Sequence, residues 1–321
     1  MTVTTTAPPL LTFPLEVAAT VRLSPTFVRV TLTGEALTRF HPGGPLGPRD
    51  QRVKLLLPEP GRPTPDLADL SPGWYLRWRA LPPAERGHLR TYTVRALRLN
   101  GPEPQLDLDF VLHGGSGPAG PGCTWAARAR PGDRITVLGP NAAADVAAGI
   151  EWLPPAPLAG VGVRVLLVGD ETAVPAASAV LESLPAGYRG TALLEVPGSA
   201  DFVDLRPTGG VEVTWFARGR RPYGERLRQA VRALLAADPL GPVATTTPSV
   251  PEVDIDAEVL WDTPSFLGLH AAPRPEPCYV WVAGEAGMVR DLRRLLLSDH
   301  GLDRGSASFM GYWRQGRAEL I

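Results

Sequence analysis

Arg90-Thr91-Tyr92-Thr93-Val94-Arg95 is the stretch from which the rest of this chain can be read. Side chains two apart on a strand share a face. An extended chain therefore turns Arg90, Tyr92 and Val94 one way and Thr91, Thr93 and Arg95 the other. Outward from this strand, the region from about Phe13 to Pro140 reads as all-β. Val28-Arg29-Val30-Thr31-Leu32 alternates cleanly after the turn-forming Ser24-Pro25. Further strands are expected near Val53–Leu57, Trp74–Trp78, Tyr92–Leu97, Leu106–Leu112 and Arg134–Leu138, separated by Pro/Gly turns. Short strands at such spacing predict an antiparallel barrel of six strands over residues 13–140. Ala126–Arg130 reads as a short helix stopped by Pro131-Gly132-Asp133.

The period changes after a weakly patterned Ala/Pro-rich connector, residues 141–162. Val163–Val168 is a continuous apolar strand and Thr172–Leu184 a helix. Strands follow at Thr191–Val196 and Val211–Phe216. A helix over Glu225–Ala236 sets Leu227, Val231, Leu234 and Leu235 on one stripe. Cys278–Ala283 reads as a strand, Met288–Ser298 as a helix and Ser306–Trp313 as a last strand. Strands alternating with helices predict a Rossmann-like α/β domain with a parallel sheet over residues 163–321. A Pro/Thr-rich insertion of uncertain order interrupts it at about 240–277.

Composition narrows the function. The 321 residues suit two domains, and 44% hydrophobic content suits filled cores. A net charge of −1 supplies no positive field for nucleic acid or anionic membrane. Two cysteines without C-x-x-C spacing, Cys123 and Cys278, leave no disulfide framework, zinc site or iron–sulfur cluster. No signal peptide or transmembrane run stands out, so a soluble cytoplasmic monomer is expected. Lys54 is the single lysine among 32 basic residues. Either it is a chance survivor of an arginine-rich composition, or its compact ammonium meets an anion as a point charge.

Five stretches suggest nucleotide chemistry. In the opening strand Tyr92 can stack on a flat ring, Thr93 can hydrogen-bond its edge, and Arg90 can hold phosphate bidentately, which is what a flavin nucleotide requires. The glycine-rich segment from His113 to Gly122 leads into a helix near Thr124, whose N–H groups suit a pyrophosphate. A structural loop with a Thr N-cap accounts for the same residues. Gly169-Asp170-Glu171-Thr172 ends a strand and opens a helix, where parallel sheets bind ligands, yet its two acids would repel a phosphate. Gly284-Glu285-Ala286-Gly287 repeats that geometry. Trp215, Arg218, Arg220 and Arg221 follow a strand, and Arg218 is the candidate for a 2′-phosphate of NADPH.

These motifs resemble one family. Asp109-Phe110-Val111-Leu112-His113, Gly120-Pro121-Gly122-Cys123-Thr124-Trp125-Ala126 and Arg130-Pro131-Gly132-Asp133 look like the FAD-binding domain of siderophore-interacting proteins. These are NAD(P)H-dependent ferric-siderophore reductases of the ferredoxin–NADP reductase superfamily. The likeness continues through Gly169–Pro175, Ala283–Gly287 and Gly311–Arg317. It implies FAD contacts from Arg90, Tyr92, Thr93, Val111, His113, Cys123, Thr124, Trp125 and Ala126. It also implies nicotinamide-nucleotide contacts from Asp170, Glu171, Thr172, Arg218, Gly284 and Glu285, with Trp313 near the flavin. Lys54, Arg314 and Arg317 are the implied cations of a pocket for anionic ferric siderophores.

Two departures stand out. Cys123 replaces the usual serine, a weaker hydrogen-bond donor, which shifts phosphate binding toward the N–H groups of Thr124, Trp125 and Ala126. The loop from His113 to Gly120 is longer than usual. The expected activity passes electrons from NADPH or NADH, or from a ferredoxin, through FAD to a ferric siderophore, releasing ferrous iron. No catalytic side chain and no protein metal site are assigned. The alternatives are a flavin-dependent reductase of another acceptor (free flavin, quinone or an electron-transfer protein) and a non-redox siderophore-binding module.

Overall fold

A computed structural model describes residues 7–59, 61–64, 67, 70–112, 120–144, 147–154, 162–238, 253–255, 257–269 and 278–317. The chain divides into two compact units, Met1–Ile150 and Glu151–Leu320.

The first unit contains β1 (Leu10–Arg22), β2 (Phe27–Thr33), β3 (Arg52–Leu57), α1 (Trp74–Ala80), α2 (Pro83–Arg86), β4 (His88–Thr93), β5 (Ala96–Arg98), β6 (Gln105–Val111), α3 (Pro121–Ala126) and β7 (Arg134–Pro140). Its described strands form one antiparallel sheet of seven in the order β4-β3-β7-β1-β2-β6-β5, one more than expected. The two edge strands, β4 and β5, are consecutive in the chain. Between them the Val94 N–H donates to the Gln51 carbonyl at 2.8 Å and the Arg95 N–H to the Asp107 carbonyl at 2.9 Å. The chain itself thus joins the two ends of the curled sheet, which leaves little exposed edge. Alternate residues fill the interior: Phe13, Leu15 and Val17 of β1, Val30 and Leu32 of β2, Val53 and Leu55 of β3, Leu106, Leu108 and Phe110 of β6.

Three sequence expectations need correction here. Central β1 is absent from the expected strands; its Pro14 is tolerated because β1 pairs there with β7 alone, the ladder with β2 starting at Glu16. The expected strand Trp74–Trp78 is α1. Its residues W-Y-L-R-W mimic a two-residue period, but Leu76 is 70% exposed while Trp78 is buried, an arrangement only a helix gives. The helix lays Trp74, Tyr75 and Trp78 over Leu56, Leu89 and Leu138 on the outer face of β3, β4 and β7. The helix expected over 126–130 instead starts at Pro121 and ends at Ala126, because Pro fits a first turn and Asp133 captures the Arg130 N–H at 2.8 Å.

The second unit contains β8 (Val163–Gly169), α4 (Val174–Leu181), β9 (Tyr188–Val196), β10 (Gly210–Ala217), α5 (Glu225–Ala237), β11 (Trp261–Asp262), α6 (Pro264–Leu267), β12 (Cys278–Glu285), α7 (Ala286–Arg293) and β13 (Ala307–Trp313). The order is β10-β9-β8-β12-β13-β11, parallel except for β11. From β8 the chain adds strands to one side, then returns to add β12 and β13 on the other. The topological switch point therefore lies between β8 and β12, where open α/β sheets bind ligands. Leu227, Val231 and Leu235 of α5 and Met288, Val289 and Leu292 of α7 pack against the sheet.

Part of the expected insertion belongs to this core. Ile255 and Leu260 are buried in it, β11 extends the sheet beside β13, and Asp262 binds Arg293 and Arg304. Connector residues are held too: Trp152 packs edge-on against Tyr279 with ring centroids 5.1 Å apart, and the Glu151 carboxylate accepts from Thr263, Ser265 and Trp261. Among the described residues no helix is long and apolar enough to cross a membrane. Trp78→Ala is expected to cost about 3–5 kcal/mol, read as a lower urea midpoint; an unchanged midpoint would show that α1 contributes no cover.

Candidate nucleotide-binding sites

In the first unit β4, β6 and α3 build an aromatic row. The ring of Tyr92 lies 4.3 Å from that of Phe110, and Phe110 lies 5.6 Å from Trp125. Tyr92 and Trp125 are half-buried, so this row forms the rim of the apolar interior rather than its centre. Gly122 makes the approach possible: a Cβ there would stand 1.8 Å from the Tyr92 hydroxyl. Arg90, opposite Leu55, is half-buried and donates to the Leu89 carbonyl at 2.9 Å. Thr93 and Ala126 are buried; Val111, Cys123 and Thr124 are half-buried. His113 lies outside the described residues.

The start of α3 revises the expected phosphate donors. The Thr124 N–H is already given to the Gly120 carbonyl at 2.9 Å. The first-turn N–H groups without an intrahelical acceptor are those of Gly122 and Cys123, because Pro121 has none.

Lys54 points to the other face of the sheet. It pairs across strands with Thr91, and its Nζ donates to the Thr91 hydroxyl at 3.1 Å. Leu56 and Leu89 follow on that same outer face, beneath α1.

In the second unit four charged groups meet at the carboxyl end of the sheet. Arg218, just past β10, binds Glu171 through two hydrogen bonds of 2.6 and 3.0 Å and lies 3.7 Å from Glu195 of β9. Its guanidinium also sits 3.8 Å over the ring of Tyr223. Only 7% of the Arg218 side chain is exposed, and the carboxylates that hold it are more buried still. Arg218 is therefore committed to these acids and is not presented to a ligand phosphate, contrary to the expectation above. Arg220 and Arg221 are the exposed cations of this turn.

Asp170 is fully buried and saturated with donors. Its Oδ1 accepts from the Thr172 N–H and hydroxyl at 2.8 and 2.6 Å; its Oδ2 accepts from the Glu285 N–H at 2.7 Å and Trp313 Nε1 at 2.8 Å. Gly284 (φ +138°) is required here, since a Cβ would lie 2.6 Å from the Asp170 Cγ. Glu285 in turn caps α7 by accepting the Met288 N–H at 2.9 Å. Protein carboxylates thus fill both turns at the switch point. Asp170 and Glu171 offer no side-chain contact to a phosphate.

Two acids, Glu171 and Glu195, share the Arg218 guanidinium, and Asp170 lies beside Glu171. Burial, with the Glu171 charge adding to it, pushes the Asp170 carboxyl up to about 6. Burial likewise raises Glu195, whose Oε2 has no hydrogen-bond partner among the described residues. Burial and the Glu171 charge push the Tyr223 phenol up to about 12. Burial opposes the charge on Arg218, but its bonds to Glu171 more than restore it.

Trp313 ends β13 half-buried, edge-on to Tyr223 at 4.8 Å. Arg314 is half-buried and Arg317 exposed, joined by a turn in which the Arg317 N–H meets the Arg314 carbonyl at 3.3 Å. Glu195 and Tyr223 carry no signal in the sequence, while Phe110 and Gly122 stand there only within longer motifs, with no site role given to them.

A curled antiparallel sheet followed by a parallel sheet with helices on a switch point defines a two-domain nucleotide-binding protein. Residues 16–144 match the siderophore-interacting FAD-binding domain, and residues 163–316 match the siderophore-interacting protein model. The chain belongs to the siderophore-interacting protein family. It is 32% identical over 311 residues to the uncharacterized protein Rv2895c of Mycobacterium tuberculosis, covering 95% of this chain and 90% of that one. It is 26% identical to the ferric vibriobactin reductase ViuB of Vibrio cholerae, over 92% of this chain and 87% of the relative. The crystal structure of the siderophore-interacting protein SipS from Aeromonas hydrophila aligns with a TM-score of 0.64 at 27% identity, covering 97% of this chain and 94% of SipS.

Glu171→Gln keeps the shape of the site but leaves Arg218 with an incomplete counter-charge. Breaking one side of such a buried pair is expected to cost about 3–5 kcal/mol, measured by chemical denaturation. A loss below 1 kcal/mol, the range of exposed pairs, would contradict the burial of this cluster.

Proposed function

We propose that this chain is a flavin-dependent reductase that takes electrons from NADPH or NADH and delivers them to a ferric siderophore in the cytoplasm. The observation that carries the reading is the Tyr92–Phe110–Trp125 row, with Arg90 on the same strand as Tyr92 and the open N–H groups of α3 beside it. The residues present fit FAD in the chemistry of their donors. A half-exposed phenol and indole suit a ring, a guanidinium suits phosphate, and a glycine lets the helix start come up to the tyrosine.

Arg90, Tyr92, Thr93 and Val111 would hold the flavin, together with the Cys123–Ala126 turn. The N–H groups of Gly122 and Cys123 would serve the pyrophosphate. Cys123 brings only a weak side-chain donor, so backbone groups and Arg90 take the larger share. Bound there, FAD would supply the redox chemistry that links a two-electron donor to one-electron reduction of ferric iron. The residues named above would hold and orient it; no side chain need act as acid, base or nucleophile.

In the second unit the nicotinamide nucleotide would meet the switch point through Thr172, Gly284 and Glu285. Acids already occupy the amide donors there, so phosphate recognition falls to exposed cations. Arg220 and Arg221 are the pair placed for a 2′-phosphate. Lys54, Arg314 and Arg317 would attract an anionic iron chelate by charge.

The test is an anaerobic spectrum of the purified protein. A flavin band that bleaches with NADPH and returns with a ferric catecholate is the expected result; colourless protein that cannot be loaded with FAD would overturn the reading. Replacing both Arg220 and Arg221 by Ala should raise the KM for NADPH on the order of tenfold or more while leaving that for NADH unchanged, as loss of a charge-assisted contact predicts. Equal effects on both donors would exclude a 2′-phosphate role.

A further inference from the structure

The indole of Trp313 crosses the place where the sheet reverses direction. It starts from the end of β13, whose neighbour β12 ends in Glu285, and reaches Asp170 at the end of β8 with a 2.8 Å hydrogen bond. On the way its ring rests edge-on against Tyr223, from the turn between β10 and α5. Asp170 also ties β12 to β8 by accepting the Glu285 N–H at 2.7 Å. One buried carboxylate thus fixes an aromatic ring over the crevice between β8 and β12.

We propose that Asp170 is a positioning residue for the nicotinamide nucleotide. It acts through Trp313, whose indole it holds across the switch point, and not by touching the ligand. The proposal rests on the reading that this crevice takes NADPH or NADH.

The geometry excludes direct contact, because the side chain is fully buried and both oxygens are occupied. The bond to Trp313 is charge-assisted when Asp170 is ionised, and such bonds are roughly twice as strong as neutral ones. Protonation removes that charge. The groups facing Asp170 are Glu171 beside it, Glu195 from β9, Arg218 and Tyr223 after β10, and Glu285 from β12. Burial first, and then the Glu171 charge, disfavour the ionised form and push the Asp170 carboxyl up to about 6. The sign follows: above that value the indole is held by a charged acceptor, and as pH falls through it the hold weakens.

Two measurements test this on the purified holoenzyme. The first follows indole Nε1–H signals by heteronuclear NMR, with Trp313→Phe identifying the one that belongs to Trp313. That signal should titrate with a midpoint near 6 and stop titrating in Asp170→Asn. A pH-independent Trp313 signal would overturn the coupling.

The second is kinetic. Asp170→Asn and Trp313→Phe should each raise the KM for NADPH roughly five- to tenfold, with kcat within about twofold, and the double variant should be no worse than either single. For the native enzyme the KM should rise as pH falls through about 6, a dependence absent from Trp313→Phe. Additive effects, or unchanged KM, would overturn the proposal. Because Asn faces backbone and indole donors with an amide on one side, Asp170→Asn can fail to fold; Trp313→Phe and the native pH profile then decide alone. If NADPH and NADH both fail to bleach the flavin, the donor reading falls and this role falls with it. If they bleach it while KM ignores both substitutions, only the role of Asp170 falls.

Discussion

Burying three carboxylates beside a single guanidinium is the constraint that shapes the second unit. Charges removed from water are tolerated only when paired and hydrogen-bonded. Asp170, Glu171 and Glu195 meet that requirement with Arg218, backbone N–H groups at Gly224 and Glu285, and the Trp313 indole. The acids and their partners together come from the ends of five strands or the turns after them. The cluster therefore sets where β8, β9, β10, β12 and β13 end relative to one another.

The same constraint redirects ligand recognition. A dinucleotide site on a parallel sheet ordinarily offers free helix N-terminal amides to phosphate. Here the Asp170 and Glu285 side chains occupy amides of these turns, at Thr172, Glu285 and Met288. Of the two acids noted in the sequence as hostile to phosphate, Asp170 serves the Thr172 and Glu285 amides and Glu171 serves Arg218. On the proposed reading, positive charge for an incoming nucleotide would come from the surface, where the turn after β10 exposes Arg220 and Arg221.

The first unit solves a different problem. Its curled sheet needs no pairing partner at β4 and β5, because Val94 and Arg95 carry the chain from one edge to the other. That passage places Tyr92 at the rim, where Phe110 and Trp125 meet it. It places Lys54 and Thr91 on the opposite face. The alternation that makes a strand therefore separates the two chemistries read from this region, aromatic stacking on one side and a lone ammonium on the other.

Residue order alone determined the switch from two-residue to helical period near Val163, and with it the division into an antiparallel and a parallel layer. It also placed Arg90, Tyr92 and Thr93 on one strand, with Arg90 and Tyr92 on a shared face, because strand geometry depends only on neighbours. What only the tertiary structure decided were the outcomes set by distant partners. Trp74–Trp78 became a helix because Leu56, Leu89 and Leu138 need cover. Pro14 sits within β1 because the ladder with β2 begins only at Glu16, so the missing N–H breaks no bond to that neighbour. Arg218 turned inward because Glu171 and Glu195, 47 and 23 positions earlier, wait there without another cation. Local pattern is written in adjacent residues, whereas the burial of a charge depends on which remote group arrives to balance it.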